Sequence, residues 1–589
     1  MIYYYGVFIE KRKVMKQLML GNKAFARGLY EAGCSLVSSY PGTPSTEISE
    51  EACKYDEIYA EWAPNEKVAM EVAFGASLAG KRSFCAMKHV GLNVAADPLY
   101  TASYTGVNAG LVICVADDAG MHSSQNEQDS RHHAIASKVP MIEPADSAET
   151  IEFVKKAYEM SEKYDTPVIV KMCTRIAHSQ SIVETKPRVE LPVKTYEKNI
   201  AKYVMMPGNA IKKHPVVEKR TLDLIDLANT DYINKVEDNG SKIGVITHST
   251  SYQYTKEIYG DSVNILKLGM VNPLPTTLIT DFVKGLDEVI VIEELDPIIE
   301  NHCKALGINV KGKDVLPMCG EYSQNLLSSL LKGETKDTVQ LAETLPGRPP
   351  VMCAGCPHRG LFYTLNKNKV TVFGDIGCYT LGAVAPLSAM ELTLCMGASI
   401  GATHGYNKAL GGNNKVVGVI GDSTFMHSGM TGLAHVAYNQ SNSTIIILDN
   451  SITGMTGHQQ NPTTGYNIKG DPAGKINLEA LCKSMGFNRV RVVDPYNLAQ
   501  CDEAIKEELA VEEPSVIISR RPCALLKYVK HDKPLKVDTD KCKSCKMCMK
   551  LGCPAISMEN GKAYIDATQC VGCKVCQQLC HFDALGGNA

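Results

Sequence analysis

The C-terminal segment constrains this 589-residue chain more than any other feature. It reads Cys542-x-x-Cys545-x-x-Cys548-x-x-x-x-Cys553-Pro554, followed by Cys570-x-x-Cys573-x-x-Cys576-x-x-x-Cys580. Eight of the 22 cysteines lie there and the other fourteen are scattered through the rest. A secreted disulfide scaffold is short and cysteine-dense throughout, whereas one dense group in a large chain points to metal. From about residue 533 onward the segment is too small to enclose a large apolar core, so an inorganic staple has to hold it. Zinc motifs supply cysteines in pairs, not in two C-x-x-C-x-x-C triplets.

A [4Fe–4S] cube needs four thiolates. Three cysteines spaced by two residues wrap one side of it, and the fourth comes from the other motif. One cluster is therefore expected on Cys542, Cys545, Cys548 and Cys580, and a second on Cys570, Cys573, Cys576 and Cys553. The segment resembles a bacterial two-cluster ferredoxin, with two departures. Four residues, not three, precede Cys553, and His581 stands where a proline usually follows the last cysteine.

The rest of the chain alternates apolar runs with helical patterns. Leu36–Tyr40, Leu111–Ala116, Val168–Lys171, Ile243–Thr247, Ile265–Leu268, Val289–Ile292, Val416–Ile420 and Thr444–Leu448 read as strands, and Val68–Gly80 as a buried helix. Strands that alternate with helices imply parallel sheets covered on both faces. Residues 186–240 are rich in Lys, Pro and Asp and read as a surface linker, and 345–350 is a Pro/Gly boundary. The expected class is thus α/β, with open parallel-sheet domains over 18–185, 241–335 and 351–530, the linker at 186–240, and the cysteine domain at 533–589. At roughly 150 residues per domain the length is enough for about four.

Composition excludes several other classes. Apolar residues make up 44% and charged residues 21%, which is ordinary for a folded soluble protein. With 61 basic and 64 acidic residues, the chain has no broad positive field to attract nucleic acid. No apolar run reaches the 18 or so residues of a membrane helix. Met1–Lys16 places aromatic residues before basic ones, the reverse of a secretory signal, and Met15 is an alternative start.

A second chemical signal lies in 351–530. Val419-Ile420-Gly421-Asp422-Ser423 ends a buried strand, and Leu448-Asp449-Asn450-Ser451-Ile452 ends another, with Asn450 28 positions after Asp422. Both would sit at the carboxyl ends of neighbouring strands, where open α/β sheets bind ligands. Mg²⁺ takes oxygen ligands and shares them with phosphates, and Asp422, the Asn450 amide and the Ile452 carbonyl would supply three. Gly421 would let the backbone approach the phosphates.

This spacing resembles the thiamine diphosphate motif, with Ser423 in place of its second glycine and Asp449 in place of the first of a frequent Asn pair. Further elements extend the resemblance to the 2-oxoacid:ferredoxin oxidoreductases: Tyr40-Pro41-Gly42-Thr43-Pro44-Ser45, Asn65-Glu66-Lys67-Val68-Ala69, Cys353-Ala354-Gly355-Cys356-Pro357-His358-Arg359, and Gly454-Met455-Thr456-Gly457-His458-Gln459 with Pro462-Thr463-Thr464. The match runs from about residue 18 to the end. With the ferredoxin-like tail last, the order resembles the α subunits of the indolepyruvate-type branch of that family.

The resemblance implies two thiamine-diphosphate-binding folds, at 18–185 (pyrimidine-type) and 351–530 (diphosphate and Mg²⁺), with a transketolase C-terminal-like domain at 241–335. Gly421, Asp422, Ser423, Asn450, Ile452 and Met455 are then the cofactor contacts. Thiamine needs a carboxylate at N1′ of its aminopyrimidine, and Glu66 is the candidate, in a different domain from Asp422. Glu47, Glu61 and Glu71 are its competitors. Thr43 would hydrogen-bond the keto acid, and His122 or Arg131 its carboxylate, the guanidinium being suited to bidentate binding. Cys353, Cys356, Cys378 and Cys523 fall where related enzymes hold a third cluster, although buried thiols also pack as small apolar groups. The implied reaction is oxidative decarboxylation of an aryl 2-oxoacid to its acyl-CoA with reduction of ferredoxin. The alternatives are another 2-oxoacid specificity, a non-oxidative thiamine decarboxylase, or an electron-transfer subunit with a degenerate body. A further family domain of about 200 residues would come from a β subunit, in an α2β2 assembly, and low-potential clusters imply anaerobic cytoplasmic work.

Overall fold

A computed structural model of the chain describes residues 15–334, 341–347, 349–411 and 415–588. The first 14 residues, on which the choice between Met1 and Met15 turns, lie outside those residues, as do residue 335, where the second α/β segment was expected to close, and Arg348 of the 345–350 boundary. The chain divides into two compact units, the first ending at Gln340 and the second starting at Leu341.

The first unit is built on two α/β sheets. One has seven strands in the spatial order Met270–Asn272, Met141–Ile142, Val168–Cys173, Leu111–Asp117, Ser83–Lys88, Leu36–Ser39 and Tyr59–Trp62. All neighbours are parallel except the first pair. Every residue of Leu111–Asp117 is buried, as befits a strand covered on both faces. The other sheet runs Glu288–Ile292, Ile243–His248, Asn264–Leu268 and Lys235–Glu237, with only the last pair antiparallel.

Two features depart from the sequence reading. Residues 186–240 include a 24-residue helix, Pro207–Thr230, and the strand Lys235–Glu237. The helix buries Val217, Arg220, Leu224 and Ala228 along one stripe, whose periodicity is masked by an internal proline, Pro215, and by the many lysines. In addition, Met270–Asn272 leaves the second α/β segment and pairs with the edge of the first sheet, so these two segments are interleaved. Asn234 Oδ1 holds that crossing by accepting from the backbone N–H groups of Gly269 (2.8 Å) and Met270 (2.9 Å).

The second unit carries one five-stranded, wholly parallel sheet in the order Thr371–Phe373, Val416–Gly421, Thr444–Asp449, Ser515–Arg520 and Arg489–Val493. Val416–Gly421 and Thr444–Asp449 are central, adjacent and buried throughout, which brings their carboxyl ends together. The cysteine-rich tail forms two small antiparallel pairs, Leu535–Val537 with Leu585–Asn588, and Ile556–Glu559 with Lys562–Ile565. Among the described residues no helix is long and apolar enough to cross a membrane.

Candidate active site and cysteine cavities

In the first unit, Glu66 opens the helix Glu66–Leu78. Asn65 caps that helix by accepting from Val68 N at 2.9 Å, so the first turn is fixed. Glu66 is 4% exposed, unlike an ordinary surface glutamate at a helix start. It lies against Gly91 of the helix His89–Val94, and that glycine leaves the carboxylate its space. Thr43 is half-buried in a turn closed by Ser45, which donates to Gly42 O from both its backbone N–H (2.8 Å) and its hydroxyl (2.9 Å).

His122 and Arg131 have opposite environments. The His122 ring is half exposed, 3.2 Å from Glu321 Oε2, and Glu321 also holds Arg175. Arg131 is fully buried. Its Nε donates to both oxygens of Asp129 (3.0 Å each), its Nη1 to Glu293 Oε2 (2.7 Å), and its Nη2 to Asp129 Oδ2 (2.6 Å) and the carbonyls of Glu294 (3.1 Å) and Asp296 (2.8 Å). Each nitrogen is thus engaged within the protein. Glu293 in turn accepts from the backbone N–H groups of Ile299 and Glu300 at a helix start. Arg131 belongs to a larger buried network with Asp117, Glu143, Lys171 and His248. Burial pushes Asp117 up to about 6, while Arg131 pulls Asp129 down to about 2 against its own desolvation.

In the second unit, Asp422 follows its strand directly and is 2% exposed. Its Oδ1 accepts from Ser423 N (2.8 Å), and the Thr463 hydroxyl lies 3.3 Å from its Oδ2. Burial, reinforced by the Asp449 carboxylate, pushes Asp422 up to about 8. Such a carboxylate is short of positive charge. Asn450 directs its amide nitrogen to His358 Nε2 (3.4 Å), and its oxygen accepts from Ile452 N (3.2 Å). Burial drives His358 down to about 4, so the ring is neutral and accepts that bond. Asp449 turns away to Arg520, whose Nε donates to it at 2.8 Å. Ser423 accepts from the Thr453 hydroxyl (2.9 Å), and Asn461 links Thr453 to Thr463. Asp422, Ser423, Asn450 and Ile452 therefore converge, whereas Met455 is largely exposed.

At Gly421 a Cβ would lie 2.7 Å from the ring of Tyr379, so the glycine makes room for that ring, a neighbour the sequence did not show. Sequence reasoning also missed Asp375. It is fully buried and accepts from the backbone N–H groups of Ile376 (2.9 Å), Gly397 (2.9 Å) and Ser399 (3.1 Å), anchoring the loop that carries Cys378 and Tyr379. His358 was in view as the residue after the Cys353–Pro357 element, but only the fold places it on Asn450.

The eight tail cysteines line two cavities. Cys542, Cys545, Cys548 and Cys580 surround one, and Cys553, Cys570, Cys573 and Cys576 the other. Cys356 and Arg359 also border the second, and Arg359 donates to Leu551 O and Gly552 O (2.6 Å each) and to Met352 O (2.6 Å). Among the described residues no three His, Cys, Asp or Glu side chains converge tightly enough to hold a metal ion. Cys353, Cys356, Cys378 and Cys523 are near enough to influence one another's ionisation. Burial, with these neighbouring thiols, pushes Cys356 up to about 12 and Cys378 up to about 11.

Comparison with known proteins fits this picture. Residues 375–519 match the thiamine pyrophosphate enzyme C-terminal TPP-binding domain. Residues 27–243 match the thiamine diphosphate-binding domain of pyruvate flavodoxin/ferredoxin oxidoreductases. Indolepyruvate oxidoreductase subunit IorA of Archaeoglobus fulgidus is 38% identical, covering 96% of both chains. The subunits of the same name from Pyrococcus horikoshii (39% identical, 97% of this chain and 96% of that one) and Pyrococcus abyssi (40%, 96% of each) are similarly close. A solved 2-oxoglutarate:ferredoxin oxidoreductase from Magnetococcus marinus is similar over 54% of this chain and 65% of that one, at 19% identity and a TM-score of 0.46. The family resemblance read from Tyr40–Ser45, Glu66 and Gly454–Gln459 is borne out: the chain belongs to the indolepyruvate oxidoreductase subunit IorA family of thiamine diphosphate-dependent 2-oxoacid:ferredoxin oxidoreductases.

Proposed function

We propose that this chain is the catalytic subunit that oxidises indolepyruvate and related aryl 2-oxoacids to acyl-CoA and CO₂, passing two electrons to ferredoxin. The observation that carries this reading is the buried, charge-deficient Asp422 beside Asn450 at adjacent strand ends. The Asp422 carboxylate, the Asn450 amide oxygen and the Ile452 carbonyl form an all-oxygen donor set, which suits Mg²⁺ carrying a diphosphate. His358 keeps the Asn450 amide turned so that its oxygen is not the atom facing the ring. Thr453, Asn461 and Thr463 brace Asp422 and Ser423.

Glu66 would be the carboxyl group that meets N1′ of the aminopyrimidine, donating to that nitrogen in its protonated form. Its burial would strengthen the hydrogen bond, and Gly91 leaves the side chain its space. Thiamine diphosphate, when bound, supplies the electron sink for loss of CO₂. The Thr43 hydroxyl donates to the keto acid. His122 is better placed than Arg131 to meet the substrate carboxylate, because Arg131 is already fully engaged and acts as a structural tie.

The tail holds two [4Fe–4S] clusters, one per cysteine cavity, as a ferredoxin-like domain. Cys353, Cys356, Cys378 and Cys523 hold a third, between thiamine and tail. A β subunit supplies the remaining domain of about 200 residues, in an α2β2 cytoplasmic complex.

The test is an anaerobic preparation of the complex with its partner chain. Bound thiamine and about twelve irons per chain are expected, three cubes of four. CoA-dependent dye reduction should favour indolepyruvate and phenylpyruvate over pyruvate. CO₂ release with free aldehyde and no requirement for CoA would overturn the oxidative reading.

A further inference from the structure

The two cysteine cavities differ in what surrounds them. The cavity of Cys553, Cys570, Cys573 and Cys576 is bordered by Ala354, Gly355, Cys356 and Arg359, which precede and begin the first helix of the parallel-sheet body. It therefore faces inward. The cavity of Cys542, Cys545, Cys548 and Cys580 is lined by tail residues alone, and Cys545 is exposed. Lys543 and Lys546 stand on its rim with Ser544 and Phe582, and no Asp or Glu lines it.

The loop that wraps this outer cavity is basic, with the acids Asp538 and Asp540 before it and exposed Asp583 beside Phe582. Residues 541–550 contain four lysines and no acid, in a chain whose net charge is −3. All four lysines are exposed. Lys541 pairs with Asp538 at 3.4 Å, whereas among the described residues Lys543, Lys546 and Lys550 have no ion-pair partner. Ser544 and Lys546 adopt left-handed backbone conformations (φ 58° and 59°), so the loop is held in a wrap and not extended. Phe582, 44% exposed, sets an apolar ring beside the lysines. An exposed aromatic ring beside lysines without ion-pair partners is the anatomy of a transient, electrostatically steered protein interface.

We propose that this lysine-rimmed face is the docking surface for a small acidic electron-carrier protein. The proposal rests on the iron–sulfur reading of the tail given above. Electrons would leave through the Cys545 corner, where the protein covering is thinnest, and the inner cavity would serve as the relay from the body. One electron passes at each docking event, oxidising the outer cluster and reducing the carrier by one each, so the two electrons of one 2-oxoacid require two one-electron carriers. Binding should be fast, weak and sensitive to salt, because its attraction is Coulombic and solvent-exposed.

The test measures binding directly. The anaerobically purified complex is immobilised, and an acidic single-cluster ferredoxin is titrated by biolayer interferometry at ionic strengths from roughly 0.05 to 0.5 M. Wild-type affinity should fall steeply with salt. The triple variant K543E/K546E/K550E should bind about tenfold or more weakly at low salt, mostly through a slower association rate. The milder K543Q/K546Q/K550Q should lie between, and it serves if charge reversal disturbs assembly of the tail, which iron content would reveal. Salt-independent binding by the wild type, or undiminished binding by the glutamine variant, would overturn the proposal. A wild-type complex without iron–sulfur absorbance would instead sink the cluster reading, a failure that is separately visible.

Discussion

The carboxylate of Glu66 lies so close to Gly91 that a Cβ on that glycine would come within 2.5 Å of Oε1 and 2.6 Å of Cγ. The two residues belong to successive helices, Glu66–Leu78 and His89–Val94. Gly91→Ala should therefore displace Glu66 without touching its chemistry. We expect kcat/KM to fall about 10²-fold or more, approaching the loss for Glu66→Gln, the size typical of removing a positioned acid–base group. Iron content should not change. Gly405, on the exposed side of the helix Ala398–Leu410 with open space around its Cα, is the control. Gly405→Ala should keep full activity and raise stability by about 0.5–1 kcal/mol in thermal melts.

Arg131 ties the Asp129 loop to the loop after the strand Glu288–Ile292 through a buried guanidinium. Removing it strands two buried carboxylates, so Arg131→Met should cost about 3–5 kcal/mol in denaturant unfolding. Arg131→Lys should not rescue it, because an ammonium cannot reproduce the fork. Asp129 has its folded pKa depressed to about 2, below its unfolded value. Its stabilising contribution is thus present above roughly pH 4 and is lost as pH falls toward 2. Asp129→Asn should flatten that acid limb of the unfolding curve, and an unchanged limb would show that the stability lies elsewhere.

The strands around both sites were legible because each is a continuous apolar run buried on two faces, and the observed Leu111–Asp117, Val416–Gly421 and Thr444–Asp449 match the reading closely. Less visible were relationships between distant residues. Arg131 reads as a polar loop residue until Glu293, 162 positions on, is brought against it. Nothing near Gly421 in the sequence shows that the ring of Tyr379, 42 positions earlier, also packs against it. The helix Pro207–Thr230 was hidden because Pro215 and nearby lysines blur a buried stripe of four residues, one of them Arg220. Edge exchange by Met270–Asn272 has no local signature, since three residues carry too little pattern to show which sheet they join.

The two cysteine cavities predict how single substitutions group. Cys580 lines the same cavity as Cys542, Cys545 and Cys548, although 32 residues separate it from Cys548. Cys580→Ser and Cys545→Ser should perturb the same electron paramagnetic resonance signal, and Cys553→Ser and Cys573→Ser the other. If Cys580→Ser altered the signal lost in Cys573→Ser, the crossed ligand assignment would be wrong. Cys378→Ser should leave both tail signals intact while lowering iron by about four per chain, the content of one cube.

Asp422→Asn separates the two halves of the proposed chemistry. The amide keeps the volume and one oxygen but removes the charge that a divalent ion needs, at a site where burial and Asp449 already make negative charge costly. Because the bare carboxylate is disfavoured, its replacement should not destabilise the metal-free protein and should raise its melting temperature slightly at neutral pH. Wild type should gain stability on adding Mg²⁺ with thiamine diphosphate, by the linkage of ligand binding to folding, and the variant should gain little. Turnover should fall by several orders of magnitude, while dithionite reduction of the tail, which involves neither Asp422 nor its strand, should be unaffected. A variant that still showed a Mg²⁺-dependent thermal shift equal to the wild type would move the diphosphate site away from Asp422 and Asn450.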